Sequence, residues 1–364
     1  MARVNQYKRL VEALDNVSTG FPSFLGIERM GLKKIFTEED AKVFADMIPR
    51  EYQTPAQFAA KNGSDEKWAS EKLYDMSKRG LIFRRRTEAG EGCYEYCQFP
   101  FAFGLIEFQG AGNPDKSYLP YMGAYAGLSK YGEGLGATMP MYRSVPFRKE
   151  MVIDNKVLPY DDIEEVLARH DRFAVAVCVC RDMHGDKGCN HPRETCIITD
   201  DMADFYVENE MGRAISREEA RSILLSGEED GRVIQITNSK NAENICSCCA
   251  CGCAMMKIAG RFTQPAGKHW GNYHVVVKDG DACVGCGKCV GACGFNVLSL
   301  ADGKVSVPED LFGCMGCGRC VFECKTGAIK LAQKPESELY EPPEDLIAAH
   351  NAWHEMKVER RAAK

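Results

Sequence analysis

The sequence predicts an α+β protein with several domains, and three observations support this fold class. The chain has 364 residues, a length that is expected to divide into two or three domains. Helical periodicity with capping residues dominates residues 31–80, whereas strand-like alternation and glycine-rich turns begin at residue 81. The 19 cysteines form separate groups along the chain, which indicates distinct metal-binding units.

Composition restricts the environment in which this protein is expected to work. The formal net charge of -6 argues against general attraction to nucleic acids or anionic membranes. The first residues lack the apolar segment of an export signal, and no apolar run reaches the length of a transmembrane helix. An odd number of cysteines cannot pair completely in disulfides. These observations predict a cytoplasmic protein without a membrane span, whose cysteines bind metals.

Residues 31–110 contain three helical segments followed by two strand-like segments. Thr54 begins a capping-box pattern, with Pro55 at the first helical position. Ser64 is the predicted N-cap of the third helix, which is expected to end at Gly80. The order helix, turn, helix and two-stranded wing resembles a winged helix-turn-helix domain. This resemblance implies either DNA binding or a protein contact such as a homodimer.

Composition and periodicity divide the rest of the chain into five segments. These are a helical arm (1–30), an extended connection rich in Gly, Pro and Tyr (111–165), a cysteine-rich α/β domain (166–260), a module with tandem cysteine runs (261–335) and a docking helix (336–364). The helical face expected to dock on the protein body carries Leu346, Ala349, Trp353 and Met356. The glycine loop at 132–137 follows no predicted strand and therefore predicts no dinucleotide site.

Two cysteine runs with the spacing C-x2-C-x2-C-x3-C lie in the tandem module. They consist of Cys283, Cys286, Cys289 and Cys293, and of Cys314, Cys317, Cys320 and Cys324. Thiolates select iron-sulfur clusters or zinc, but zinc sites typically combine two C-x2-C pairs across a longer gap. Three cysteines at intervals of three residues can surround a cubane, which a distant fourth cysteine completes. The spacing therefore predicts two [4Fe-4S] clusters.

Residues 283–324 resemble the bacterial-type ferredoxin module with two [4Fe-4S] clusters, in which the fourth cysteine of each run serves the other cluster. The resemblance implies that Cys283, Cys286, Cys289 and Cys324 hold the first cluster, and that Cys314, Cys317, Cys320 and Cys293 hold the second. That family usually has proline after the fourth cysteine, whereas this chain has Gly294 and Lys325. The difference is expected to affect local geometry and reduction potential rather than cluster binding.

The middle domain contains a first group of cysteines, which consists of Cys178, Cys180, Cys189 and Cys196. This group is predicted to hold a further [4Fe-4S] cluster. The alternative is a zinc site that uses some of these cysteines together with His184 or His191.

A second group in the middle domain consists of Cys246, Cys248, Cys249, Cys251 and Cys253. Five thiols within eight residues converge only if the backbone curls around a metal, so this group is also predicted to be a metal site. The ligand set stays open, because the second group either forms a cluster alone or shares ligands with the first. Together the two groups resemble a cysteine-rich domain of iron-sulfur proteins from anaerobic bacteria and archaea.

The predicted function is that of a non-catalytic electron-transfer subunit that exchanges low-potential electrons with a partner oxidoreductase. The alternative is a redox-responsive winged-helix transcription regulator, in which Arg84, Arg85 and Arg86 would contact phosphates. DNA binding is the less favoured interpretation, because the candidate recognition helix is acidic. A third alternative is an enzyme whose second cysteine group has an open iron. Cys93 and Cys97 are expected to be plain thiols.

Overall fold

The computed structural model describes residues 5–90, 92–99, 104–128, 140–183, 189–259, 271–311 and 313–363. Its helices are α1 (Gln6–Val17), α2 (Ile27–Ile35), α3 (Glu38–Asp46), α4 (Pro55–Asn62), α5 (Glu66–Lys78), α6 (Ile106–Gly112), α7 (Leu119–Leu128), α8 (Ile163–Ala168), α9 (Val179–Asp182), α10 (Asp200–Glu208), α11 (Arg217–Glu229), α12 (Ala254–Ala259), α13 (Lys288–Ala292), α14 (Arg319–Glu323) and α15 (Leu346–Ala362). Its strands are β1 (Phe83–Arg86), β2 (Tyr94–Cys97), β3 (Tyr142–Ser144), β4 (Phe173–Val177), β5 (Glu194–Thr199), β6 (Gly212–Ile215), β7 (Val233–Thr237), β8 (Asn244–Cys248), β9 (Tyr273–Val277), β10 (Ser299–Ala301), β11 (Lys304–Ser306) and β12 (Ile329–Gln333).

The chain divides into two units. The first unit comprises Met1–Thr138, Asp201–Arg213 and Ile347–Lys364. The second unit comprises Met139–Asp200 and Ala214–Leu346. Both units therefore contain segments that are distant in sequence, and the C-terminal helix belongs to the first unit apart from its first residue.

The first unit contains the predicted succession of three helices and a hairpin. The capping box at Thr54 is confirmed, because Gln57 N–H donates to Thr54 Oγ1 and Thr54 N–H donates to Gln57 Oε1. The N-cap of α5 is Asp65 rather than Ser64, since the Asp65 carboxylate accepts the hydrogen bond from Trp68 N–H at 2.9 Å. The winged-helix interpretation of this arrangement stays a prediction.

Helix α15 packs within the first unit, where it contacts Asp15 of α1 and also Arg50 and Phe99. Trp353 is completely buried, and Arg361 forms an ion pair with Asp15 at 2.7 Å. The buried residue in the next turn is Lys357, whose Nζ donates to the Asp15 carbonyl, whereas Met356 is 38% exposed. The expected face was therefore wrong at Met356, because the helical period of 3.6 residues places position 357 above Trp353.

The second unit contains a sheet of six strands in the order β3-β7-β8-β5-β4-β6. The pairs β3/β7, β7/β8, β8/β5 and β5/β4 are antiparallel. Buried isoleucines and valines of β4, β5, β7 and β8 form its core. Strand β3 and helix α7 lie in residues 111–165, so this predicted extended connection contains regular structure. The segment is rich in proline and glycine, so its sequence shows no clear helical or strand periodicity from which these elements could be predicted.

The tandem module of the second unit consists of two small hairpin-like pairs and two short helices. Strands β9 and β12 are antiparallel, with Tyr273 opposite Gln333. Strands β10 and β11 form a hairpin whose turn residues Asp302 and Gly303 have φ values of 50° and 72°. Two positive φ angles are typical of the type I′ turn, which Asp-Gly favours.

Candidate metal centres

Three strand ends bring the two cysteine groups of the middle domain together. Strand β4 ends immediately before Cys178, and β8 ends at Cys248. Because β5 pairs antiparallel with both β4 and β8, its first residues lie beside both of these ends. The sheet thus explains why cysteines about 70 positions apart in sequence become neighbours.

The first neighbourhood consists of Cys178, Cys180, Cys248 and Cys253, and we call it the buried tetrad. Cys248 and Cys253 are buried, and Cys178 and Cys180 are half-buried. A hydrogen bond with Cys180 and burial raise the pKa of Cys178. Hydrogen bonds from Cys180 and Cys248 lower the pKa of Cys253 well below the usual value of a thiol. The side chain of Cys253 also lies 3.7 Å from Gln235 Oε1. The tetrad therefore draws two thiols from each cysteine group.

Cys189, His191, Cys249 and Cys251 form the second neighbourhood, which we call the rim site. Their ligand atoms all lie within 4.8 Å of one another. The Sγ atoms of Cys189 and Cys249 are 3.5 Å apart. Cys249 is buried, whereas Cys251 is exposed, so the rim site extends from the protein interior to its surface. His184, the other histidine considered from the sequence, lies outside the described residues.

The remaining cysteines of the two groups, Cys196 and Cys246, are cross-strand neighbours on β5 and β8. Asn244 connects them, since its Nδ2 donates to Cys196 Sγ at 3.2 Å and its Oδ1 accepts from Cys246 Sγ at 2.8 Å. The structure therefore distributes the four cysteines at 178–196 over different neighbourhoods. Cys178 and Cys180 lie with Cys253, Cys189 lies with Cys249, and Cys196 lies with Asn244.

Arg181 directly follows Cys180 and lies near thiols of both neighbourhoods, but it was not predicted as a site residue. It is 3% exposed, and its guanidinium donates to the Ser247 carbonyl at 3.1 Å and to Thr195 Oγ1. Although burial disfavours its charge, the nearby thiols of Cys178 and Cys249 raise the pKa of Arg181. A buried cation at this place stabilises thiolates in both neighbourhoods.

In the tandem module, one pocket is lined by four cysteines from both runs. These are Cys293 of the first run and Cys314, Cys317 and Cys320 of the second. Apolar side chains such as Val275 and Leu331 complete the lining. Burial raises the pKa of Cys317 to about 12, so this thiol favours the neutral form unless a metal replaces the proton.

The cysteines at the other end of the module have corresponding neighbours. Burial raises the pKa of Cys289, and the nearby Cys324 and Cys283 raise it further. Cys286, the remaining member of this predicted set, is exposed. The structure thus brings Cys324 of the second run close to the first run, as it brings Cys293 close to the second.

Glycines and backbone amides make room for a compact inorganic group at both places. A Cβ atom on Gly285 would lie less than 3.0 Å from the Gly303 carbonyl, and one on Gly316 equally close to the Tyr273 carbonyl. Val297 N–H donates to Cys293 Sγ at 3.4 Å, and Val305 N–H donates to Cys283 Sγ at 3.3 Å. Thiol donors, apolar lining and N–H···S bonds together fit [4Fe-4S] clusters.

The geometry defines an iron-sulfur protein, and a comparison with protein families agrees. Residues 275–325 match the family model described as 4Fe-4S dicluster domain. These residues therefore form a 4Fe-4S dicluster ferredoxin domain, and a cysteine-rich region precedes it. The match covers a minor part of the chain. No curated protein and no solved structure matches the sequence.

The three arginines of the predicted wing are all engaged with acidic side chains of the first unit. Arg84 is 1% exposed and contacts Glu208 at 2.8 Å. Arg86 contacts the same carboxylate at 2.7 Å, and Arg85 contacts Glu95 at 2.5 Å. These pairings leave little free positive charge for phosphate at this hairpin.

Other features from the sequence analysis have less bearing on the site. Cys97 is buried, and burial raises its pKa to about 12, whereas Cys93 is exposed. The glycine loop at 132–137 lies outside the described residues. Among the helices that the structure describes, none has both the length and the apolar character needed to cross a membrane.

Proposed function

We propose that this protein transfers electrons through two [4Fe-4S] clusters in its dicluster domain. Cys283, Cys286, Cys289 and Cys324 would hold one cluster, and Cys293, Cys314, Cys317 and Cys320 would hold the other. The observation that carries the proposal is the pocket in which Cys293 lies beside the first three cysteines of the second run. Such exchange of the fourth ligand is the arrangement of two-cluster ferredoxins.

The chain's own residues contribute the environment that electron transfer requires. When bound, the clusters supply one-electron centres. Amide N–H groups of Val297 and Val305 donate to ligand sulfurs, which raises the reduction potential relative to a thiolate without hydrogen bonds. Apolar residues such as Leu331 exclude water from the pocket that Cys293 shares with the second run. The exposure of Cys286 and the 71% exposure of Val284 support a position near the surface for the cluster of the first run, where a partner would exchange electrons.

We further propose that the buried tetrad holds a third [4Fe-4S] cluster. Its four thiols come from Cys178, Cys180, Cys248 and Cys253, a different set from the run at 178–196 that the sequence order suggested. Four thiols are the number that one such cluster requires. The hydrogen bonds that link them support a common site.

We propose that a separate oxidoreductase serves as donor or acceptor and that the chain itself is not catalytic. The regulator alternative gains no support from the wing, since Arg84, Arg85 and Arg86 are paired with carboxylates. We therefore advance electron transfer as the single proposed function.

The test is metal and sulfide analysis of the full chain purified without oxygen, combined with reductive titration. Two clusters would give about 8 iron and 8 sulfide per chain, and the third would raise both to about 12. Dithionite is expected to reduce the clusters reversibly. Zinc without sulfide in the dicluster domain would contradict the proposal, as would cluster-dependent DNA binding at physiological salt without reversible reduction.

A further inference from the structure

We infer that the rim site binds a single zinc ion, separate from the iron-sulfur clusters. Its ligands would be the sulfurs of Cys189, Cys249 and Cys251 and one ring nitrogen of His191. The inference does not depend on the proposed electron transfer, because the dicluster domain contributes none of these residues. It extends the zinc alternative for the middle domain by combining residues from both cysteine groups.

The first argument is the spacing of the four ligand atoms. They all lie within 4.8 Å of one another, and two of the sulfurs are 3.5 Å apart. Zn–S bonds of about 2.3 Å in a tetrahedron place two sulfurs ~3.8 Å apart. In a cubane each thiolate binds a different iron, so its four sulfurs must lie further from one another. The convergence of all four ligand atoms therefore fits one ion better than a cluster. Among the residues that the structure describes, the rim site meets this distance and the four thiols of the buried tetrad do not.

The second argument is the chemistry of the ligand set. Three thiolates and one imidazole form the Cys3His combination of closed structural zinc sites. A zinc ion with three thiolates carries a net charge of about -1, which the buried guanidinium of Arg181 partly balances. Arg181 thus stabilises the metal site without binding the ion, as residues that surround the ligands of metal sites commonly do.

The third argument is the backbone around the ligands. Cys189 and Cys249 are 60 positions apart, and the sheet brings their segments together. A Cβ atom on Gly252 would approach Cys249 Sγ to 3.3 Å and the Arg181 side chain to 3.0 Å. Glycine at this position therefore lets the turn after β8 come close to the loop at 189–191. One ion would cross-link the two segments beside the buried tetrad.

The experiment measures zinc, iron and sulfide per chain in the full-length protein, expressed with both metals and purified without oxygen. The wild type is expected to contain about one zinc in addition to its iron. Cys251→Ser and His191→Ala are expected to abolish zinc binding and leave the iron and sulfide content unchanged. His191→Cys should retain zinc, since four cysteines also form a structural zinc site. The matched control is Cys93→Ser, an exposed thiol in the other unit.

A second measurement identifies the ligands directly and does not depend on stability. X-ray absorption at the zinc edge is expected to give three sulfur neighbours and one nitrogen neighbour in the wild type, and four sulfurs in His191→Cys. Absence of zinc from the wild type would overturn the inference. So would a loss of about four iron and four sulfide in Cys251→Ser, which would assign the rim site to a cluster. Neither result would change the iron content expected for the dicluster domain.

Discussion

Single cysteines acquire their roles through neighbours that are remote in the sequence. Cys293 ends the first run, yet it lines the same pocket as Cys314, Cys317 and Cys320. Cys324 likewise lies near Cys289 and Cys283. A cubane needs ligands on four sides, and a short run with this spacing can supply only three of them. Each run thus depends on the other run for the fourth ligand of its cluster.

The exchange of fourth ligands predicts which variants share a spectrum. Cys293→Ala is expected to impair the same cluster as Cys317→Ala, so both reduced proteins should retain the same electron paramagnetic resonance signal. Cys286→Ala impairs the other cluster and should retain a different signal. If the spectrum of Cys293→Ala instead matched that of Cys286→Ala, each run would ligate its own cluster.

The spacing in the sequence was sufficient to predict the dicluster domain, which the family model matches at residues 275–325, but the sequence could not divide the cysteines of the middle domain between sites. Local spacing identifies the cysteines of the dicluster domain, because three consecutive cysteines of a run surround the same cluster. The sites of the middle-domain cysteines depend on which strand ends meet. The pairing of β5 with both β4 and β8 joins segments that are distant in the sequence. Arg181 was not predicted as a site residue for the same reason, and His191 was predicted only as an alternative ligand for the cysteines at 178–196, because the sequence does not show that it lies beside Cys249 and Cys251.

At the scale of elements, close approaches between segments require glycine in the dicluster domain. Gly316 has a φ of 66° and faces the Tyr273 carbonyl at the start of β9. Gly327 has a φ of 71°, but a Cβ atom there would meet nothing within 4 Å. A side chain would therefore strain the backbone at both positions, but only at Gly316 would it also clash with the Tyr273 carbonyl.

Replacing each of these glycines by alanine separates strain from clash. Gly327→Ala is expected to lower the free energy of unfolding by about 1 kcal/mol and to keep its clusters. Gly316→Ala should also displace β9 from the second run and lose about four iron and four sulfide. Metal analysis and thermal unfolding of both variants without oxygen provide the comparison. Equal iron and sulfide content in the two variants would mean that the backbone around Gly316 shifts to accept the methyl group without loss of the cluster.

Helix prediction succeeded where capping residues and periodicity agree and was inaccurate where one residue decides the register. Thr54 begins α4 as predicted, since its hydroxyl and Gln57 satisfy each other's backbone amides. Asp65 replaces Ser64 as the N-cap of α5. Both side chains can cap a helix, and only the observed turn conformation shows which one reaches the amide.

At the scale of the whole molecule, Glu243 connects the sheet to the segment that leads to the C-terminal helix. Its carboxylate accepts hydrogen bonds from Ser239 at 3.0 Å and from Leu346 N–H at 3.0 Å. The neighbouring amides of Lys240 and Asn241 donate to the carbonyls of Pro343 and Glu344. These bonds fix the path of residues 343–346 along the second unit.

Removal from water raises the pKa of Glu243 to about 7, from a usual value of 4.5. Between these two values the folded protein holds a proton that the unfolded chain has lost, so stability falls as the pH rises from 4.5 to 7 and this contribution becomes constant above 7. The effect is at most roughly 1 kcal/mol per pH unit. We therefore expect the unfolding temperature of the wild type to decrease more steeply from pH 5.5 to pH 7 than that of Glu243→Gln.

Glu243→Gln isolates this contribution because glutamine keeps an oxygen for Leu346 N–H and imitates the neutral carboxyl group. Other groups titrate between pH 5.5 and pH 7, but they do so equally in the wild type and in Glu243→Gln. The difference between the two curves of unfolding temperature against pH is therefore due to Glu243. Thermal unfolding of the full chain without oxygen, at matched cluster content, gives both curves. Parallel curves would show that the carboxyl group titrates alike in the folded and unfolded chain, and that the connection to the C-terminal helix tolerates its charge.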